Sequence, residues 1–187
     1  MSAIVETVIN HFSNLCQTYK IKDIAEIGRG RVISSKEISS QVNPRYPVFS
    51  SQTSNEGIMG YLDDYMFDGE YITWTTDGAN AGTIFYRNGK FNCTNVCGIL
   101  KLKDNFDAYF VSHMLQKETR SYVSINLANP KLMNNTMSQI EVKLPTYKVQ
   151  VNVSKMFRSI DLKIKKMQKL YSHYNIQKQY LLSKMFI

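Results

Sequence analysis

The stretch from Trp74 to Asn95, WTTDGANAGTIFYRNGKFNCTN, carries three glycines, an aspartate and several hydroxyls, the residue types from which phosphate cradles are built. A dinucleotide loop, however, needs GxGxxG at the start of a helix, whose N-terminal N–H groups and dipole meet the pyrophosphate. DGANAG lacks that spacing, and the residues after it have the composition of strands rather than of a helix. A P-loop Gly-Lys-Ser/Thr, GxSxG, HExxH and the protein-kinase set are missing from the sequence. So is the Asn/Asp-Pro-Pro-aromatic motif of methyltransferases acting on exocyclic amines; proline follows asparagine only in NPRY and NPKL.

Two carboxylate pairs, Asp63/Asp64 and Asp68/Glu70, have the chemistry to hold Mg²⁺ or to act as acid and base. Adjacent acids in a polar turn are more often simply solvated, so a metal-dependent nuclease stands as a rival reading. Cys16, Cys93 and Cys97 are odd in number and lack both CxxC spacing and a nearby histidine. They read as reduced thiols in a cytoplasmic protein rather than as a disulfide framework or a zinc site.

Three loops remain: FSSQTSNEG, TTDGANAG and NLANPKLMNN are dense in Ser, Thr, Gln and Asn, with Arg or Lys at their margins. Amides and hydroxyls both donate to and accept from base edges, while Arg and Lys read guanine or grip phosphate. Singly, each loop is better explained by turn formation. Together with the charge distribution they point to nucleic acid.

The elements that position these loops follow from periodicity. MSAIVETVINHF has apolar residues at helical spacing and no signal-peptide pattern, giving an amphipathic helix over 1–17. The middle of the chain is β-rich. EYITWTT alternates, with Ile72 and Trp74 on one face and Tyr71 and Thr73 on the other. Asn88-Gly89 between TIFY and KFNC predicts a type I′ hairpin. NFDAYFVSHMLQ returns to helical spacing, and SQIEVKLP reads as a last strand stopping at Pro145.

From Thr146 to Phe186 there is neither Gly nor Pro, and apolar residues recur every three or four positions. This predicts a helix of about 38 residues, roughly 57 Å long at 1.5 Å per residue. Residues 147–187 contain nine basic side chains against the single acid Asp161, so the whole formal charge of +8 belongs to this tail. A basic helix suits an anionic partner. Its apolar stripe requires a partner, most simply a second helix. No apolar run approaches the roughly 18 residues of a membrane span.

IAEIGRGR, the block from YPVFSSQTSNEG through NVCGILKLK, and NPKLMNNTMSQIEVKLP followed by a long helix resemble, in that order, the target recognition domain and conserved helix of Type I restriction–modification specificity (S) subunits. The resemblance runs from about residue 18 to the C-terminus. Where that family typically has LPP and EEQ, this chain has LPTYKVQ. The resemblance implies an α+β chain: a recognition domain over 18–146, then a spacer helix over 147–187 that forms an antiparallel coiled coil. A usual S subunit has two such domains and two such helices, so this chain resembles one half, which a homodimer would complete.

It further implies double-stranded DNA as ligand, and a modification subunit that carries S-adenosylmethionine and methylates adenine. A restriction subunit is a further possible partner. The chain itself would bind no cofactor or metal and would catalyse nothing. By loop position and chemistry, the expected DNA contacts are Ser50, Ser51, Gln52, Thr53, Asn55, Thr75, Thr76, Asn80, Arg87, Asn129 and Lys131, with Arg29 and Arg31 at the rim. Tyr65, Tyr71 and Trp74 are stacking candidates, with core packing the plainer role for each. Val153, Met156, Ile160, Ile164, Met167, Tyr171 and Tyr174 are the expected dimer or modification-subunit contacts. The alternative to a productive reader is a decoy half-subunit that occupies a modification subunit and alters or inhibits its specificity.

Overall fold

The computed structural model describes residues 7, 16–124 and 129–185, so the helix expected over 1–17 lies outside the described residues except at positions 7, 16 and 17. The chain divides into two compact units, Met1–Gln150 and Val151–Ile187.

The first unit is built on a four-stranded antiparallel sheet. Its strands are β2 (Ala25–Arg29), β8 (Cys97–Leu102), β5 (Glu70–Thr75) and β6 (Ile84–Asn88), in that order. A three-stranded sheet is ordered β4 (Ile58–Leu62), β3 (Tyr46–Phe49) and β7 (Asn92–Cys93), with β3 and β7 parallel. β1 (Gln17–Lys20) pairs with β9 (Glu141–Leu144) as a separate ribbon. Short helices α1 (Ile21–Ile24), α2 (Ser35–Ser39) and α4 (Asn134–Gln139) join these elements, and α3 (Ala108–Glu118) packs on β5 and β6.

Strand β5 carries the β-branched and aromatic run that favours strands, and both of its faces are covered. Ile72 and Trp74 lie on the α3 face, opposite Leu100 and Gly98 of β8. The other face meets the aromatic cluster of Phe49, Phe91, Cys93, Cys97 and Ile99. The alternation read from the sequence is therefore present, but Thr73 and Thr75 are as buried as Ile72 and Trp74. Gly98 is required by close approach: a Cβ there would lie 2.2 Å from the Trp74 ring. Helix α3 starts where Asp107 caps it, its carboxylate accepting from the Phe110 N–H at 2.7 Å. It buries Tyr109, Phe110, Val111, Met114 and Leu115.

The Asn88-Gly89 hairpin is not formed. Gly89 has φ +96°, yet Asn88 is not among the described residues with positive φ, as a type I′ turn demands. Instead the chain runs on past β6: Gly89 and Gly69 exchange backbone hydrogen bonds at 3.1 and 3.2 Å, and Phe91 bridges to Phe67. Long-range pairing with the chain before β5 overrides the local turn signal. The true hairpin is β5–β6, and its loop is the TDGANAGT segment.

The second unit consists of helix α5 beyond its first turn; the whole helix runs Tyr147–Met185, 39 residues without interruption. Its start is fixed within the first unit. The Gln150 amide donates to the Pro145 carbonyl at 2.8 Å while its oxygen accepts from the Asp107 N–H at 3.0 Å.

Candidate nucleic-acid interface

The three polar loops converge. The first, 50–57, links β3 to β4; the second, 76–83, links β5 to β6; the third, 129–133, leads into α4. The Asn80 amide donates to Thr53 Oγ1 at 3.0 Å, joining the first two. Gly78 N–H donates to the Pro130 carbonyl at 3.0 Å, Leu132 N–H to Thr76 at 2.9 Å, and Asp77 bridges to Lys131, joining the second to the third. A fourth segment, Thr94–Val96, reaches the same edge, because Thr76 donates through both its N–H (3.3 Å) and its Oγ1 (2.9 Å) to the Val96 carbonyl. Sequence reasoning missed it, although CTNVC is a polar turn between two strands.

The loops are internally stiff. Thr75 Oγ1 donates to the Asn80 carbonyl and accepts from Thr83 N–H at 3.1 Å. In the first loop, Ser50 N–H donates to the Gly57 carbonyl at 3.0 Å, and the Gln52 amide donates to the Ile58 carbonyl. Asn55, Glu56 and Gly57 are three consecutive left-handed residues, at φ 50°, 53° and 84°. Asparagine and glycine tolerate that region, whereas glutamate does so at a cost of about 1–2 kcal/mol.

Among the expected contacts, Asn55, Asn80 and Asn129 are exposed, and Ser50, Ser51, Gln52, Thr53 and Lys131 are half-buried along the same edge. Thr75 and Thr76 are buried, at 1% and 0% exposure, with their hydroxyls spent on the loop backbone. Arg87 is also buried, at 7%. Its guanidinium lies between the rings of Phe49 and Phe85, 3.5 and 4.4 Å from their centroids. It donates to Thr73 Oγ1 at 3.2 Å and to the Glu56 carbonyl at 2.7 Å. Burial pulls its pKa down to about 10, leaving it cationic at neutral pH. These three residues are buried, with their polar groups bonded within the domain. Residue type alone does not reveal such burial.

At the rim, Arg29 ties β2 to the start of α4 through Asn134 Oδ1 (2.9 Å) and to the Thr94–Val96 segment through the Asn95 carbonyl (3.4 Å). Arg31 is paired with Glu37, and each holds the other in its charged form. Arg120, not singled out from the sequence, is exposed and lines an open depression of about 410 Å³ with Asn80, Thr83 and Pro130. Trp74 is fully buried and donates to the Leu132 carbonyl at 2.9 Å, so it is a core residue that also pins the third loop. Tyr71 packs edge-on to Phe91, while Tyr65 stays exposed beneath Lys90.

The carboxylates do not assemble a catalytic group. Asp63 accepts from the N–H groups of Val42 (3.2 Å) and Asn43 (2.8 Å), a turn-capping role, and Glu70 accepts from the Tyr86 hydroxyl. No cluster of three or more His, Cys, Asp or Glu fit to hold a metal occurs among the described residues. Nor is any described helix long and apolar enough to cross a membrane.

On α5, Met156, Ile164, Met167, Tyr171 and Tyr174 are 44%, 44%, 70%, 70% and 60% exposed, and Ile160 is half-buried. Val153, expected in the same set, is only 8% exposed. Ile160, Ile164, Met167, Tyr171, Tyr174, Lys178, Leu181 and Met185 follow one another at alternating intervals of four and three, the spacing of a coiled-coil seam with one lysine in it.

A recognition edge made of loops on an antiparallel scaffold, followed by a long helix with a bare seam, is the form of a DNA-specificity module. Residues 15–172 match the family model described as the Type I restriction modification DNA specificity domain, and the chain belongs to that family. A type I specificity subunit N-terminus from Mycoplasma pneumoniae is 47% identical over 140 residues, 74% of each chain. The MpnII type I restriction enzyme specificity subunit of the same organism is 43% identical over 140 residues, 74% of this chain and 42% of that one. The solved S subunit of a type I restriction–modification system from M. genitalium has the same fold, with a TM-score of 0.74 at 16% identity, over 99% of this chain and 50% of that one. The chain thus spans about half the length of the last two.

Proposed function

We propose that this chain is the DNA-reading subunit of a Type I restriction–modification methyltransferase and acts in the cytoplasm as a homodimer. Carrying this reading is the convergence of the 50–57, 76–83 and 129–133 loops on one edge of a domain of this family. Ser51, Thr53, Asn55, Asn80 and Asn129 read base edges there, and Lys131 and Arg120 hold phosphate. Arg29 and Arg31 border the edge, and Ser50 and Gln52 keep the first loop in shape. The exposed seam from Ile160 to Met185 supports pairing of two copies through α5. Antiparallel pairing presents two recognition domains in two-fold symmetry, and such a dimer reads an inverted bipartite site.

The modification subunit docks on the same assembly and supplies S-adenosylmethionine and the methyl transfer. The transfer requires a flipped adenine, which the partner and not this chain accommodates. A restriction subunit joins for cleavage. Methylome sequencing of cells expressing this chain with its modification subunit tests the reading. A symmetric bipartite methylated motif is expected. An asymmetric motif would overturn the homodimer, and the absence of any new motif would leave the decoy as the function.

A further inference from the structure

The structure places a cation where the interface has no use for one. Arg87 lies on β6 beneath the first recognition loop, stacked between Phe49 and Phe85. A buried charged group is weak evidence of a stabilising device, since replacing buried ionic groups by apolar side chains of similar volume is often neutral or stabilising. What an apolar side chain cannot do is donate to the Glu56 carbonyl. That carbonyl belongs to the middle one of the three left-handed residues, the glutamate, whose conformation is the least favoured. The same guanidinium lies against Gly57, where a Cβ would come within 3.2 Å of it and 3.1 Å of the Gln52 carbonyl. Its Nε–H is fixed by Thr73 on the neighbouring strand. The sheet, through Arg87, thus bears on the shape of a loop whose tip residues, Ser54, Asn55 and Glu56, are exposed.

We propose that Arg87 is a positioning residue for recognition: it holds the 50–57 loop in its left-handed form, and so sets which base that loop reads, without itself touching DNA. The inference rests on the DNA-reading function proposed above. Two consequences separate it from a general structural role. Losing Arg87 should leave the fold as stable as before, and it should relax the recognised sequence only at the position read by this loop.

The test uses the full chain with its modification subunit, comparing Arg87→Met with Asn55→Ala, which alters the loop tip directly. Thermal unfolding of Arg87→Met is expected within a few degrees of the parent or above it. Its methylome is expected to become degenerate at the same motif position as that of Asn55→Ala, with the other positions unchanged and at least tenfold less methylation at the original sites. Arg87→Lys, which cannot reach both acceptors, should behave like Arg87→Met. A folded Arg87→Met that keeps the parental motif would overturn the proposal. If Arg87→Met does not fold, Phe85→Leu decides, because it loosens the stack and keeps the charge. Relaxation at the Asn55 position then supports the proposal, and an unchanged motif sinks it. Should the parent protein direct no methylation at all, it is the DNA-reading function that fails.

Discussion

Asn80 and Thr53, 27 residues apart, meet tip to tip through a 3.0 Å hydrogen bond from the asparagine amide to the threonine hydroxyl. Through that bond two recognition loops present one surface. It is exposed, and so contributes little to folding, on the order of 0.5–1 kcal/mol. Asn80→Ala and Thr53→Ala should each leave the melting temperature nearly unchanged while weakening binding to the cognate site. In a double-mutant cycle on DNA affinity the two should couple by about 0.5–1 kcal/mol. Strict additivity would show that the loops act separately.

Gly98 opposite Trp74 makes the reverse case. A methyl group at 98 would meet the indole at 2.2 Å, and neither the β8 backbone nor the fully buried ring has room to yield. Overpacking of this kind costs about 1–3 kcal/mol or more. Gly98→Ala should lower the melting temperature by roughly 5 °C or more for a domain of this size. Because Trp74 also donates to Leu132, the third loop should loosen with it, seen as faster amide exchange at Leu132.

The seam of α5 predicts association. Replacing Ile164 and Tyr171 by lysine removes two large apolar side chains from each copy and adds like charge to a helix that is already basic. Loss of about 3 kcal/mol corresponds to roughly a hundredfold weaker dimer. Sedimentation equilibrium at micromolar concentration should show the parent as a dimer and the variant as a monomer. Equal masses for the two would refute pairing through this face.

The thiols give a check on the core. Cys93 and Cys97 are buried with their sulfurs 3.4 Å apart; burial raises the Cys93 thiol far above its ordinary range, while the hydrogen bond between the two sulfurs holds Cys97 below its own. Cys16 is half-buried, with its thiol raised more modestly. In the native protein only Cys16 should react with an aromatic disulfide reagent at pH 8. All three should react in denaturant, and three fast-reacting thiols in the native state would contradict the packing.

Much of this was legible in the sequence, for reasons that differ by element. Helix α5 declared itself through the lack of Gly and Pro and the apolar recurrence from Val149 to Leu181, both local properties. The three loops were visible as polar runs between strand-like segments. Their convergence was not, because it depends on bonds such as Gly78 to Pro130 and Asn80 to Thr53, between residues far apart in the chain. The Asn88-Gly89 turn failed for a related reason: the pairing of 67–70 with 88–91 is non-local and outweighs a two-residue preference. Thr75, Thr76 and Arg87 were assigned outward because their chemistry suits DNA, while the distant partners that bury them, Val96 and Leu132 for Thr76 and Phe49 for Arg87, leave no mark on their own stretch of sequence.

The backbone bonds that fasten the second loop to the third, Gly78 to Pro130 and Leu132 to Thr76, involve no side chain at all. Identity at Thr53, Asn55, Asn80 and Asn129 can therefore drift while the frame beneath stays as it is. On the proposed reading, exchanging a few of these surface side chains would give new sites, and in the proposed symmetric pair each exchange would rewrite both halves of the target at once.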